Sequence, residues 1–324
     1  MPNDIARTLT LDDISDSFFQ AYDNAVPGQL VQTLSLVADQ VSSGKARFPF
    51  ADSVPKPQMR KRGEPLKVNR LGAQEVEIVQ ARYENAVGID LDDLDDDNDA
   101  GTGTLQRRIS EIAEPFAELR YSLMIDVLLS NLTAYDGVAL IGDHTFNGNA
   151  SDNAVTASDI PTLAVVDKDA PTPEEFSTVV TDLIGHMYGY KDPKGHAINR
   201  SAKEFIVFVP VAMWGSATTA VAANNLTSGQ TAILNALNNG TGFSIDVQPE
   251  PLLTATDQVF AVRKANAGRG AFIATQRKPV AVSYLGEDSE HAFDQHEVKV
   301  KANWRGGAGP GEPRYLVRGT LSDA

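Results

Sequence analysis

The sequence predicts an α+β chain, on three observations. Residues 104–133, TLQRRISEIAEPFAELRYSLMIDVLLSNLT, set Leu105, Ile109, Ile112, Phe116, Leu119, Leu123, Val127 and Leu128 mostly three or four apart, the spacing of one buried helical face. Between about residues 165 and 275, helix-like and strand-like runs alternate. From Gln258 onward, strand-like runs are separated by glycines. With 324 residues and 42% hydrophobic content, the chain can bury at least one substantial core.

Taken in order, LDDISDSFFQAYDNA within residues 1–26 places Ile14, Phe18, Phe19 and Tyr22 at rough helical spacing, an arm that docks on its own domain or on a neighbour. PGQLVQTLSLVADQVSS, starting at Pro27, carries Leu30, Leu34, Val37 and Val41 on one face and predicts a second helix. In residues 45–70, Pro49, Pro55, Pro57 and Pro65 rule out a long helix and disfavour central strands, so an extended excursion is expected. Its 55–70 part is basic: Lys56, Arg60, Lys61, Arg62, Lys67 and Arg70 stand against Glu64 alone. AQEVEIV begins a strand, and the segment ends in a run with seven aspartates among residues 90–99. That run has no internal glycine and no terminal glutamate at the offset a calcium loop needs, and it reads as a hydrated acidic turn or helix start.

The long helix opens at Thr104, a capping residue, and has Pro115 as a place to bend. After a turn-rich passage a helix is expected at 173–187, a strand at EFIVFVPV (204–211) and a helix at WGSATTAVAANN. SGQTAILNALNNGTGFSIDVQPEP suggests a short helix, a glycine loop and a strand. GTG at 240–242, GRG at 268–270 and GGAGPG at 306–311 read as turns, since none forms a phosphate-binding or dinucleotide motif.

The absence of cysteine excludes disulfides, thiolate ligands and a thiol nucleophile. The five histidines form no HExxH and no zinc spacing, and Ser216 is not in a GxSxG elbow. In DGVALIGDHTFNGNA (136–150), Asp143 beside His144 suggests an acid–base pair. The same residues also suit a turn that Tyr135, Val138, Leu140 and Phe146 anchor and Asp136, Asp143, Asn147 and Asn149 organise. The N-terminus lacks a basic segment followed by an apolar core, and apolar runs such as FIVFVPVAMW fall short of the roughly 20 residues a bilayer span needs, so a soluble chain is expected. A formal charge of −15 opposes nonspecific attraction to nucleic acid.

LLSNLTAYDGVALIGDHTFNGNASDN (128–153), AKEFIVFVPVAMWGSA (202–217), HEVKVKANWRGGAGPGEPRYLVRGT (296–320) and the basic MRKRGEPLKVNR (59–70) together resemble the Mu-like prophage major head protein family. The resemblance implies a Hong Kong 97-like major capsid fold. It places an N-terminal arm and helix at 1–44, an extended loop at 45–75, the first part of a peripheral domain at 76–164 with a spine helix at 104–132, an axial domain at 165–275 and a return to the peripheral domain at 276–324. It further implies a non-enzymatic subunit without cofactor or metal, assembling with itself as pentamers and hexamers into an icosahedral shell. That shell encloses double-stranded DNA without reading its sequence. Scaffold, maturation protease, decoration and portal proteins are the implied partners, and the virion capsid, after assembly in the host cytoplasm, is the implied location. Opposite local charge suggests contacts between subunits from Arg60, Lys61, Arg62, Lys67 and Arg70 to Asp95, Asp96 and Asp97. Asp136, Gly137, His144 and Phe146 are expected to form a structural turn. The competing classes are a non-viral compartment shell and a hydrolase with no identifiable nucleophile.

Overall fold

The apolar spacing of residues 104–133 becomes one 26-residue helix, Thr104–Leu129, and both main sheets are built against it. The computed structural model describes residues 11–25, 28–39, 41–51, 73–93, 104–222, 225–228, 231–234, 243–266 and 268–324. Along the first part of the chain run α1 (Leu11–Asn24), α2 (Gly28–Leu34), β1 (Ser35–Asp39), β2 (Lys45–Ala51), β3 (Ala73–Val79), β4 (Ala81–Asp90), α3 (Thr104–Leu129), β5 (Asp143–Phe146), β6 (Asn149–Asp152), β7 (Ala154–Val155) and β8 (Ala164–Val165). There follow α4 (Pro173–Tyr188), β9 (Glu204–Val209), α5 (Trp214–Ala222), β10 (Asn225–Ser228), β11 (Thr231–Leu234), β12 (Ser244–Pro249), β13 (Gln258–Arg263), β14 (Phe272–Leu285), α6 (Glu290–Gln295), β15 (Glu297–Pro310), β16 (Leu316–Thr320) and β17 (Ser322–Asp323).

The first half of α3 lays Ile109, Ile112, Ala113 and Phe116 on Val298, Val300, Ala302 and Trp304 of β15, while Ile14 and Phe18 of α1 close the same core. Beneath it is a four-stranded sheet in the order β1-β14-β15-β4, antiparallel except for β1 beside β14. The second half of α3 turns Met124, Ile125 and Leu128 toward Phe208, Phe260 and Leu316 of a five-stranded sheet, order β12-β9-β13-β16-β7. The helix runs unbroken through Pro115, which sits on its exposed face. At about 1.5 Å per residue it is a strut of about 39 Å that joins the two sheets through one backbone.

β9 shows why EFIVFV is continuously apolar. Phe205, Val207 and Val209 face the α4–α5 core, whereas Ile206 and Phe208 face the α3 side, so both surfaces of the strand are covered. α4 begins at a capping box in which Thr172 accepts from the Glu175 amide at 3.3 Å and Glu175 accepts from the Thr172 amide at 2.9 Å. Two of the five strands, β7 and β16, lie in sequence outside residues 165–275.

Three sequence expectations change. The predicted helix from Pro27 onward stops at Leu34, because Ser35–Asp39 pairs in parallel with Phe272–Gln276; Gly270 permits this, since a Cβ there would lie 2.6 Å from the Leu34 carbonyl oxygen. Where a short helix is expected after Ser228, Thr231–Leu234 instead pairs with Asn225–Ser228 as β11 against β10, a ladder that satisfies backbone groups without the nucleation cost of an isolated helical turn; residues 235–242 of that stretch lie outside the described residues. GGAGPG is not an exposed turn: Gly306, Gly307 and Gly309 are buried within or at the end of β15. A Cβ on Gly307 would stand 2.5 Å from the Val79 carbonyl oxygen, and one on Gly309 would stand 2.7 Å from the Ile78 side chain. Glycine there makes a flat bed on which the end of the β2–β3 ribbon lies.

Candidate functional site

The stretch 131–153 leaves α3 and immediately builds a buried polar junction. Asn131, in the left-handed region at φ 46°, brackets Ile141 by accepting from its amide at 2.7 Å and donating to its carbonyl at 3.0 Å. Gly137 takes φ 83°, and Asp136 accepts from the Val138 amide at 3.2 Å, closing the turn. Asn147–Gly148, with φ of 50° and 81°, makes the tight turn between β5 and β6.

His144 is buried and pairs with Asp136, Nδ1 to Oδ2 at 2.5 Å, while its Nε2 lies 3.2 Å from the Leu140 carbonyl oxygen. The pairing is thus with Asp136, eight residues back, and not with the adjacent Asp143, whose side chain is exposed. The strand period explains this: neighbours in β5 point to opposite faces, so Asp143 and His144 cannot share one. Burial pushes the Asp136 carboxyl up, but the hydrogen bond and charge of His144 and the Val138 amide outweigh it and hold the carboxyl below its ordinary range. With a ring fully enclosed and both nitrogens engaged, His144 has no face for a substrate.

Phe146 stands between His144 and Arg314 in the same core. Its ring stacks with His144 at 6.1 Å, and the Arg314 guanidinium lies 3.9 Å from its centroid. Arg314 is 2% exposed and Glu312 is 1% exposed; they are bonded twice, at 2.6 and 3.0 Å, in a planar fork. Tyr135 completes the group by accepting from Arg314 at 2.8 Å and donating to Glu312 at 3.1 Å. Burial first, then the Glu312 carboxylate, push the Tyr135 hydroxyl far above its ordinary range, so it remains a donor. Phe50 of β2 stacks on the Tyr135 ring at 4.5 Å, which ties the ribbon to this junction.

The far side is fixed as firmly. Asn153 donates to the Leu140 and Pro313 carbonyls, and Asn199 donates to the Met187 and Arg314 carbonyls while accepting from Arg263 at 2.9 Å. Asn147 and Asn149 do more than shape their own turn: they donate to the Pro193 and Asp192 carbonyls across the gap. A second strut joins α3 to the five-stranded sheet, where Tyr121 donates at 2.5 Å to the buried Glu250. The arrangement locks segments far apart in sequence together and offers no reacting group to solvent.

Asp136, Gly137, His144 and Phe146 therefore meet in one place, joined by partners that sequence reasoning missed: Asn131, Asn153, Asn199, Glu312 and Arg314. Nothing local marks Glu312 and Arg314, because their partner Tyr135 is 177 residues from Glu312. Arg60, Lys61, Arg62, Lys67, Arg70, Asp95, Asp96 and Asp97 lie outside the described residues. Among the described residues every histidine is bonded to a carboxylate or a carbonyl and none to a hydroxyl, so the geometry of a nucleophile and its base does not arise there. Asp90, Asp92 and His296 come near enough together for one ion, but all three are exposed. No described helix is long and apolar enough to cross a membrane.

A spine helix shared by two sheets and a separate two-stranded ribbon give the chain a Hong Kong 97-like fold. Solved structures share it at low sequence identity. The capsid of cyanophage P-SCSP1u aligns with a TM-score of 0.51 and 13% identity over 90% of this chain and 88% of its own. The virus-like particle from Pyrococcus furiosus gives 0.52 and 13% over 96% and 98%, and the capsid of a native GTA particle gives 0.52 and 12% over 90% and 89%. No curated protein sequence is a significant match. The model of the phage capsid protein family matches residues 73–319, about three quarters of the chain. The chain belongs to that family: it is a structural major capsid subunit of the virion and not an enzyme.

Proposed function

We propose that the chain closes an icosahedral shell, as pentamers and hexamers of itself, around double-stranded DNA that it does not read. The observation that carries this reading is the β2–β3 ribbon, whose strands pair, among the described strands, only with each other, and which is fixed at its root by the glycine bed of β15 and toward its far end by Phe50 on Tyr135. A ribbon so anchored transmits its contacts to the body of the subunit, and many modest contacts add up once a closed assembly forms. In this reading residues 45–75 are the extended loop, the five-stranded sheet with α4 and α5 is the axial domain, and the four-stranded sheet with α1 and α3 is the peripheral domain. The basic 60–70 segment, with Arg60, Lys61, Arg62, Lys67 and Arg70, reaches the acidic segment of a neighbour at Asp95, Asp96 and Asp97. A formal charge of −15 suits a container that must not adhere to its polyanionic contents.

The finer placement is with Mu-like prophage head proteins, supported by the turn and closing-strand motifs at 128–153 and 296–320. Assembly takes place in the host cytoplasm with scaffold, maturation protease, decoration and portal proteins joining or acting in turn. The test is expression with the neighbouring gene products, followed by electron microscopy and nuclease-protection of the purified particles. Closed shells holding protected DNA support the reading. Shells filled with protein cargo move it to a non-viral compartment, and a chain that stays monomeric with its neighbours present overturns it.

A further inference from the structure

At the root of the ribbon two arginines converge on one point, Gly44. A Cβ built on Gly44 would stand 3.6 Å from Nη1 of Arg277 and 3.8 Å from Nη2 of Arg305, with no other non-neighbouring atom of the described residues within 4 Å. Gly44 does not hold a positive φ, so the turn does not require glycine there. What its missing side chain leaves is an open seat between two guanidinium groups. Arg277 reaches it because β14 is irregular on both sides of Lys278, and such a bulge re-aims a side chain. Arg305 is steadied by donating from Nε to the Gln80 carbonyl at 3.1 Å. Both side chains are half-buried, and among the described residues neither pairs with a carboxylate, although Lys45, Arg47 and Arg82 nearby are all paired. Val79 beside them is 61% exposed.

The opposite end of the same sheet has the complementary character. There Phe293 of α6 is 89% exposed, and Asp90, Asp92, Glu287, Asp288 and Asp294 are exposed around that corner. The two ends lie far apart within one subunit: Arg82 pairs with Arg305 and Asp90 with Glu297, eight residues further along β4, about 27 Å at strand rise. One subunit thus carries a basic, partly apolar end and an acidic, partly apolar end on a single rigid sheet.

We infer that the Gly44–Arg277–Arg305 seat receives carboxylates of the Phe293 corner of a second copy, in a head-to-tail contact. This rests on the shell reading and adds to it a particular surface and partner. A contact between two different patches of identical subunits propagates into rings and larger assemblies. Two guanidinium groups supply the planar, charged donors a carboxylate needs, and Phe293 supplies an apolar anchor at the partner end. Packaged DNA offers phosphate to the same chemistry, but the matched acidic corner and the exposed apolar residue at each end favour protein.

The experiment compares the full chain with R277E/R305E, with E287K/D288K/D294K, and with G44V, which fills the seat at unchanged charge. Unassembled subunits of each variant are expected to melt as wild type does, which calorimetry checks first. Each variant alone is expected to raise the concentration needed for shell formation at least about tenfold. A chain carrying both sets, R277E/R305E/E287K/D288K/D294K, is expected to assemble again, because every seat then meets a corner of opposite charge. Variants that assemble as wild type does, or a doubly reversed chain that stays dissociated, overturn the inference. Intact shells that retain less nucleic acid also overturn it, by assigning the arginines to phosphate. Failure of the wild-type chain itself to assemble with its neighbours speaks against the shell reading instead.

Discussion

Replacing Arg314 by methionine isolates the energetic centre of the junction. Methionine keeps much of the volume but removes both bonds to Glu312, the bond to Tyr135 and the guanidinium lying 3.9 Å over Phe146. Glu312, 1% exposed, keeps only Tyr135 as a side-chain donor. Breaking a buried ion pair on one side costs about 3–5 kcal/mol, because the remaining charge stays out of water. With an unfolding entropy of about 2.1 cal/mol/K per residue, a chain of 324 residues loses about 1.5 °C of melting temperature per kcal/mol, so R314M should melt about 4–7 °C below wild type. The assay is calorimetry of unassembled subunits at neutral pH, beside E312L/R314M, in which no buried charge remains. The double variant should recover much of the loss. A shift below about 1.5 °C for R314M, or a double variant no better than the single one, would falsify the claim that this pair holds the junction.

D136N tests the acid side: because the folded Asp136 carboxyl lies below its ordinary value of 3.8, its contribution is complete above that pH and disappears as pH falls through the lower folded value. The variant should therefore be less stable at pH 7 and should approach wild type in strong acid; equal stability of the two at pH 7 contradicts the pairing with His144. D143N should act in the opposite sense. Burial first, with Asp143 adding to it, raises the Asp152 carboxyl opposite it in the β5–β6 hairpin, so relief stabilises at neutral pH and fades in acid, read from melting curves against pH. G307A places a methyl group 2.5 Å from the Val79 carbonyl oxygen, so it should cost about 1–3 kcal/mol by urea unfolding and lower shell yield by displacing the ribbon root. K61E/R62E should change both yield and salt dependence of assembly measured by light scattering, and unchanged values remove the role proposed for the basic segment.

The elements legible in the sequence are those whose partners lie close by or whose faces are uniform. The spine helix was readable because each buried residue recurs within a turn, and β9 because both its surfaces are covered. The Pro27 helix was read too long because the parallel partner of Ser35–Asp39 lies more than 200 residues away, at Phe272–Gln276. GGAGPG reads locally as a turn; only the ribbon packed on it makes glycine a strand residue. Of the junction, its turn residues Asp136, Gly137 and Phe146 were legible, whereas the partner of His144 was not. Choosing Asp136 over Asp143 depends on the strand beginning at Asp143, and the Glu312–Arg314 fork depends on a turn far along the chain.

The most direct test of the account is cryo-electron microscopy of the full chain expressed with its neighbouring gene products. The account predicts closed shells in which each subunit shows one long helix under two sheets, with β2 and β3 packed on their own subunit and the basic segment at residues 60–70 contacting an adjacent copy. Shells in which residues 60–70 touch no neighbouring subunit, or a preparation that remains monomeric across concentration and salt, would contradict it.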